Sequence, residues 1–455
     1  MPAATGRTAP TAYTSTNLTI TASDGVALAA TLKEPVGASA RLPAILLLHG
    51  IGQKRQDFAE IANRFAAAGF AVLSPDARGH GQSGGLVSVD GPREIQDVRE
   101  LVTWLRARPE IDAQHVGGWG ISLGGGAILR ALGEGVPFAA VETLETWTNL
   151  YTALLPQNLS KSGMIVALLN SVPEERLSPE IKAIRSDALA SANLPKLRQF
   201  GAQRSSLQLL SKVTTPVFML QGRRDFAFDI AQAKAGFAAV KGPKRLYIGT
   251  FGHAPSTFPG PDVDVVVNEG IRWFKRYLLP QGSGVQPRIQ VAADPWTGTP
   301  ATLSRYPALR TSSWTLPGIS SIGGQGKDIR ISSRTKTRLE TFGSATVRLT
   351  ARLSGGWSRI VAVLTATRGK KTTVVSEGGI NTAGMSGRRT LAIRLLDDAT
   401  LIPRGSRLTL TLAASSTAQD PGNALYLDIP MAPSARVTLS RVTLKLPVLK
   451  QPISR

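Results

Sequence analysis

The sequence predicts an α/β unit built on a doubly wound, mostly parallel sheet with a helical cap, followed by an all-β sandwich. Three observations predict it. Between positions 17 and 269, short strand-like apolar runs alternate with amphipathic helix-like segments, the pattern of a sheet covered on both faces. The stretch 145–212 interrupts that rhythm with helical periods and no clear strand. After Leu279 comes Pro-Gln-Gly-Ser-Gly, a linker signature, and beyond it the chain turns into alternating β-type sequence broken by Gly, Ser and Pro.

In chain order, strands are expected at 17–20, 26–32, 44–49, 71–74, 115–121, 139–143, 217–221 and 245–248. Asp24-Gly25 reads as the hairpin turn between the first two. Helical periods fall between strands: Phe58, Ile61, Ala62 and Phe65 in one, and Ile95, Val98, Leu101, Val102 and Leu105 in another. A last helix carries Ile271, Trp273, Phe274 and Tyr277 before Pro280 stops it. The interruption at 145–212 is expected as a cap over the carboxyl edge of the sheet, where ligands bind in open α/β folds. Alternating segments at 345–353, 359–365, 390–395, 407–412 and 436–446 read as sandwich strands. The expected organisation is a loose tail at 1–16, an α/β unit at 17–280, a linker at 281–287 and a sandwich at 288–455.

A hydrophobic fraction of 42% with 18% charged residues is that of a folded globular chain. No apolar run approaches the roughly 18 residues that a membrane span needs. The stretch 1–16 has no apolar core of the signal-peptide kind and reads as the tail left after an exported precursor is processed. With no Cys, disulfides, thiolate nucleophiles and cysteine metal sites are excluded, while the compartment stays open. The net charge of +22 is concentrated late: from Gln281 onward there are 24 Lys and Arg against 8 Asp and Glu. Such an excess suits an anionic surface or polymer. Those cations are spread singly along strand-like sequence with few aromatics and no nucleic-acid motif, so nucleic acid is not expected as a partner.

The sharpest chemical signal is Gly120-Ile121-Ser122-Leu123-Gly124, directly between a predicted strand and a predicted helix. A sharp strand-to-helix turn holds the serine in strained backbone at the helix N-terminus, and the flanking glycines remove Cβ atoms that would clash there. A serine hydroxyl needs a base, and only His49, His80, His115 and His253 are available. His115 opens the strand that leads to Ser122 and is expected at the far end of the sheet. His49 belongs to His49-Gly50-Ile51-Gly52, a loop of the type that gives backbone donors to an oxyanion hole, and His80 lies in the loop after the fourth strand. His253, after the last strand of the unit, has the chain order of the base. Asp225, 28 residues before it in Gln221-Gly222-Arg223-Arg224-Asp225, is the expected acid, with Asp229 as the near rival and Glu142 or Glu145 as more distant ones. Leu123 and Ile51 are the expected oxyanion donors. Trp147, Tyr151, Leu154, Leu155, Met164 and Leu168 are candidate walls of a substrate pocket. No His–carboxylate spacing of the metal-ligand type stands out, and no cofactor is required.

At these motifs the chain resembles the α/β-hydrolase superfamily, and specifically hydrolases like cocaine esterase and the X-prolyl dipeptidyl peptidases, which add a C-terminal jelly-roll domain. The resemblance rests on His49-Gly50, Asp76-Ala77-Arg78-Gly79-His80-Gly81, Gly120 to Gly124, Pro216 to Asp225, Gly252-His253 and Trp273 to Leu278, with a weaker match at Pro295-Trp296 and Ile402 to Leu408. It implies a Ser122-Asp225-His253 triad with Leu123 and Ile51 as oxyanion donors. Leu123 stands where that subgroup usually has Tyr, and no oxyanion tyrosine lies beside His49-Gly50, which implies a hole made of backbone alone. The expected activity is hydrolysis of a small-molecule or polymeric ester. An X-Pro-type aminopeptidase, an acyltransferase on the same triad, and a binding protein that grips an anionic surface are the other readings.

Overall fold

The computed structural model describes residues 12–37, 40–279, 288–323, 327–420 and 424–454. The chain begins with a hairpin of β1 (Tyr13–Thr21) and β2 (Ala27–Pro35), turned at Asp24-Gly25, where Gly25 has φ +84°. Then follow β3 (Leu42–Leu48), α1 (Ala59–Ala67), β4 (Ala71–Pro75), α2 (Pro92–Arg106), β5 (Ile111–Ile121), α3 (Leu123–Gly133) and β6 (Ala140–Leu144). All seven residues of β3 and all five of β4 are buried, as a strand covered on both faces requires. Five helices come next: α4 (Leu150–Leu154), α5 (Ser162–Asn170), α6 (Pro179–Ala190), α7 (Leu194–Gln203) and α8 (Leu207–Leu210). The unit resumes with β7 (Val217–Gly222), α9 (Ile230–Ala239), β8 (Lys244–Gly249) and α10 (Val263–Leu278), then β9 (Ile289–Val291) and β10 (Ala301–Leu303).

These ten strands form one sheet in the order β1-β2-β4-β3-β5-β6-β7-β8-β9-β10. Pairing is parallel from β4 through β9 and antiparallel at both ends. The eight strands expected before position 249 all occur, and the insertion between β6 and β7 is helical. Two boundaries differ from expectation. Tyr13 to Thr16, expected in the tail, belong to β1, because their backbone pairs with residues 32–35 of β2. The sheet also continues beyond the expected linker at 281–287, which lies outside the described residues. β9 pairs parallel to β8 and so covers an edge that would otherwise be open.

The remaining strands are β11 (Leu309–Gly323), β12 (Ile329–Arg334), β13 (Leu339–Glu340), β14 (Gly343–Ser354), β15 (Arg359–Arg368), β16 (Lys371–Asn381), β17 (Gly387–Asp398), β18 (Leu401–Ile402), β19 (Arg407–Ala413) and β20 (Arg436–Leu449). They build two four-stranded antiparallel sheets, β11-β20-β14-β17 and β12-β19-β15-β16, with a small β13-β18 ladder. Alternation in β14 buries Val347, Leu349, Ala351 and Leu353 between the sheets and exposes Arg348 and Arg352. A buried ion pair, Arg223 Nη2 to Glu340 Oε1 at 2.6 Å, joins the large sheet to the sandwich.

Candidate active site

The site grows from the carboxyl ends of β3, β5, β7 and β8. β5 ends at Ile121 and α3 starts at Leu123, so Ser122 must turn the chain within one residue; its φ of 52° and ψ of −116° are strained for a residue with a side chain. Two glycines make the turn possible. A Cβ on Gly120 would lie 2.3 Å from the carbonyl oxygen of Gly124, and one on Gly124 would lie 2.4 Å from that of Leu48. The bend is pinned by Ser122 N–H donating to Leu144 O (2.9 Å) and Thr146 Oγ1 donating to Ser122 O (2.8 Å). Leu123 is the first residue of α3, so its N–H has no acceptor within the helix.

Ser122 Oγ lies 2.9 Å from Nε2 of His253, whose Nδ1 lies 2.9 Å from Oδ2 of Asp225. The structure thus brings together three side chains drawn from the ends of β5, β7 and β8. Asp225 is 1% exposed and fixed on both oxygens. Oδ1 accepts the N–H groups of Ala227 (3.0 Å) and Phe228 (2.9 Å), and Oδ2 also accepts from Gln221 Nε2 (3.2 Å). Phe228 stands edge-on to the imidazole at 5.2 Å and limits its rotation. Burial disfavours the imidazolium, but the charge and hydrogen bond of Asp225, with Glu145 behind them, outweigh it and raise His253 to about 9.

The other candidates separate clearly. Asp229 accepts from the backbone N–H of Asp397 in the sandwich, away from the imidazole. Glu142 is fully buried on β6, where burial raises its carboxyl well above the usual range. Glu145 is different: its Oε2 is 3.8 Å from His253 Nδ1, it lines the site cavity, and its Oε1 is buried without a hydrogen-bond partner. Burial, reinforced by Asp225 and opposed by His253, pushes its carboxyl up to about 8. Its φ of 49° is a second strained position beside the site. His115 pairs with Asp112 at the start of β5. His49 Nδ1 meets Gly50 O (2.7 Å) and Nε2 accepts from Ala77 N–H (2.9 Å), so a neutral imidazole ties the loop after β3 to the loop after β4. His80 packs edge-on against it at 5.2 Å.

A cavity of about 600 Å³ opens in front of Ser122 and His253, with Ile51, Met164, Leu168 and Phe258 among its walls. Ile51 sits in a tight turn closed by Gln53 N–H to Gly50 O. Tyr151, Leu154 and Leu155 line a separate apolar cavity on the other side of α5, with Ile165 and Leu169. Trp147 is buried under the site, its indole N–H donating to Arg204 O. The α5 helix is thus the wall: Met164 and Leu168 face one cavity, Ile165 and Leu169 the other.

Two contributors had no signal in the sequence. Lys161 is buried in the cap and its Nζ donates to Phe226 O and Ala227 O, both at 2.9 Å, bracing the loop that carries Asp225. Ala424, from the loop after β19, reaches the cavity wall, and Gly163 N–H donates to Leu425 O beside it. Glu145, Asp225 and His253 also place three metal-type ligand atoms within 4.8 Å of one another. Of these, Asp225 Oδ2 and His253 Nδ1 are hydrogen-bonded to each other.

A mostly parallel sheet with a serine at such a turn and a His–Asp relay on later loops defines an α/β-hydrolase architecture. The family model described as "X-Pro dipeptidyl-peptidase (S15 family)" matches residues 24–255, and the chain belongs to that family of hydrolases. An uncharacterized 31.7 kDa protein of the traX-finO intergenic region of Escherichia coli is 26% identical over 283 residues, covering 56% of this chain and 97% of that protein. A monoacylglycerol lipase of Mycolicibacterium smegmatis is 25% identical over 255 residues, covering 51% of this chain and 88% of the lipase. In fold, a crystal structure of a CocE/NonD family hydrolase from Staphylococcus aureus matches with a TM-score of 0.73 at 13% identity, covering 96% of this chain and 94% of that one. That match extends over both the α/β unit and the sandwich. No helix among the described residues is long and apolar enough to cross a membrane.

Proposed function

We propose that this hydrolase is a serine carboxylesterase that works through an acyl-enzyme. The observation that carries the reading is the continuous relay from Ser122 Oγ through His253 to Asp225, with both links at 2.9 Å, at the floor of a partly apolar cavity. In this mechanism His253 Nε2 takes the hydroxyl proton while Oγ attacks the ester carbonyl. Asp225 holds the imidazole in the right tautomer and offsets its positive charge. The backbone N–H groups of Leu123 and Ile51 receive the oxyanion, and each such donor lowers the barrier by about 3 kcal/mol. His253 then protonates the leaving alcohol, and water releases the acyl group by the reverse sequence. Met164, Leu168 and Phe258 offer apolar contacts to an acyl chain.

A peptidase reading is favoured by the family match and by Glu145 in the cavity wall, a buried carboxyl that a substrate ammonium would draw into its ionised form. The two readings are separated by comparing p-nitrophenyl esters of two to twelve carbons with glycyl-prolyl-p-nitroanilide. The esterase reading expects turnover of the esters, reduced at least about 10⁴-fold in Ser122→Ala, with the anilide slower by orders of magnitude. Faster cleavage of the anilide than of any ester would replace it with the peptidase.

A further inference from the structure

Six of the 24 lysines and arginines that follow position 280, which the catalytic reading leaves unused, lie on one surface. In the sheet β11-β20-β14-β17 alternate residues point away from the sandwich core. On β14 these are Thr346, Arg348, Thr350, Arg352 and Ser354; on β17, Arg388, Thr390, Ala392 and Arg394; on β20, Arg436, Ser440, Thr443 and Lys445. The strand register sets them in rows. Arg394, Thr346 and Lys445 lie side by side across three strands, then Ala392, Arg348 and Thr443, then Thr390, Thr350 and Ser440. Arg388 and Arg352 are direct cross-strand neighbours.

Six cations therefore share one face, all exposed, and none of them forms an ion pair with a carboxylate among the described residues. Two arginines placed directly opposite each other destabilise a sheet. A structural role would set a carboxylate between them, whereas here the neighbouring positions are hydroxyls. Arg348 and Arg352 are four residues apart on one strand, about 13 Å, so the cations form a spaced array.

We propose that this face binds an anionic polysaccharide bearing carboxylates. The guanidinium forks match carboxylates in bidentate fashion, and the intervening Thr and Ser hydroxyls exchange hydrogen bonds with sugar hydroxyls. The described side chains of the face include no aromatic ring on which unpaired bases would stack, and the sheet presents no helix to a major groove. Leu309, at the start of β11, is the one large exposed apolar residue among the sheet's described side chains, too little to anchor the face in a bilayer. The inference is independent of the reaction at Ser122.

The test uses the full chain and polygalacturonate as the probe, with binding followed by affinity electrophoresis at about 0.05 M salt, where surface charges are weakly screened. Uncharged dextran, duplex DNA and phosphatidylglycerol-containing vesicles are run alongside. The expected result is binding to polygalacturonate in preference to the other three. Arg348→Gln/Arg352→Gln/Arg388→Gln should weaken it at least about tenfold, whereas Lys182→Gln/Lys212→Gln/Arg404→Gln, with the same net charge, should change it less than about twofold. Ester turnover unchanged in both variants reports that they are folded. Equal losses in the two variants, no binding to polygalacturonate, or tighter binding to DNA or vesicles would overturn the proposal.

Discussion

Glu145 is the residue whose chemistry can be read most directly in solution. Its carboxyl sits 3.8 Å from the imidazole nitrogen that faces Asp225, and it adds to the negative charge that raises His253. A general base must be neutral to act, so ester turnover should rise with pH as His253 loses its proton. Glu145→Gln removes a negative neighbour, so His253 should deprotonate at lower pH and the acid limb of kcat/KM should move down. A pH–rate profile of the two enzymes checks this; an unmoved or raised limb would contradict it. At this scale the sequence was informative where chemistry imposes a local pattern. Ser122 was legible because its turn demands glycine on both sides, and His253 because three other histidines were accounted for elsewhere in the order of strands. Lys161 was not legible: a lysine that braces a loop through two carbonyls leaves no spacing rule behind.

Among the elements, α5 divides the cap. One side of this helix lines the site cavity with Met164 and Leu168, and the other lines an apolar cavity with Ile165 and Leu169. Met164→Trp adds bulk to the first wall only. It should shift the preferred acyl length of p-nitrophenyl esters toward shorter chains, with long-chain kcat/KM falling about tenfold and acetate within about threefold, since a methylene or two in an apolar pocket is worth 1–3 kcal/mol. An unchanged chain-length profile would remove α5 from the acyl site. The cap was recognisable as an interruption of the strand rhythm, but the apolar stripe could not say which side of α5 meets substrate. Met164 and Leu168 were expected on the pocket together with Trp147, Tyr151 and Leu154. Only tertiary packing separates them: Met164 and Leu168, four apart on α5, share the face toward the site cavity, whereas Tyr151 and Leu154 come from α4 and line the cavity on the other side of α5.

For the whole molecule, the sandwich is locked to the hydrolase unit by buried charge. Arg223, two residues before Asp225, gives one nitrogen to Ala292 O and another to Glu340 Oε1, and Glu340 also accepts from Ser454. Burial alone would raise the Glu340 carboxyl, but the Arg223 charge and these hydrogen bonds hold it below its usual range. Its contribution to stability is therefore present at neutral pH and lost as pH falls through that depressed value. Glu340→Ala leaves a buried guanidinium unpaired and should cost about 3–5 kcal/mol in urea unfolding; a loss under about 1 kcal/mol would show that the contact does not couple the two units. The sequence made the change of fold class legible but placed it too early, since three-residue strands such as β9 and β10 carry no periodicity long enough to read. The relay itself is a whole-molecule feature, for Ser122 and His253 are 131 positions apart and meet only because β5 and β8 share one sheet. The most direct test of that convergence is labelling with a fluorophosphonate followed by mass mapping of the modified peptide. The account predicts a single adduct on Ser122, lost in His253→Ala. An adduct on another serine, or ester turnover that persists with Ser122 fully modified, would contradict it.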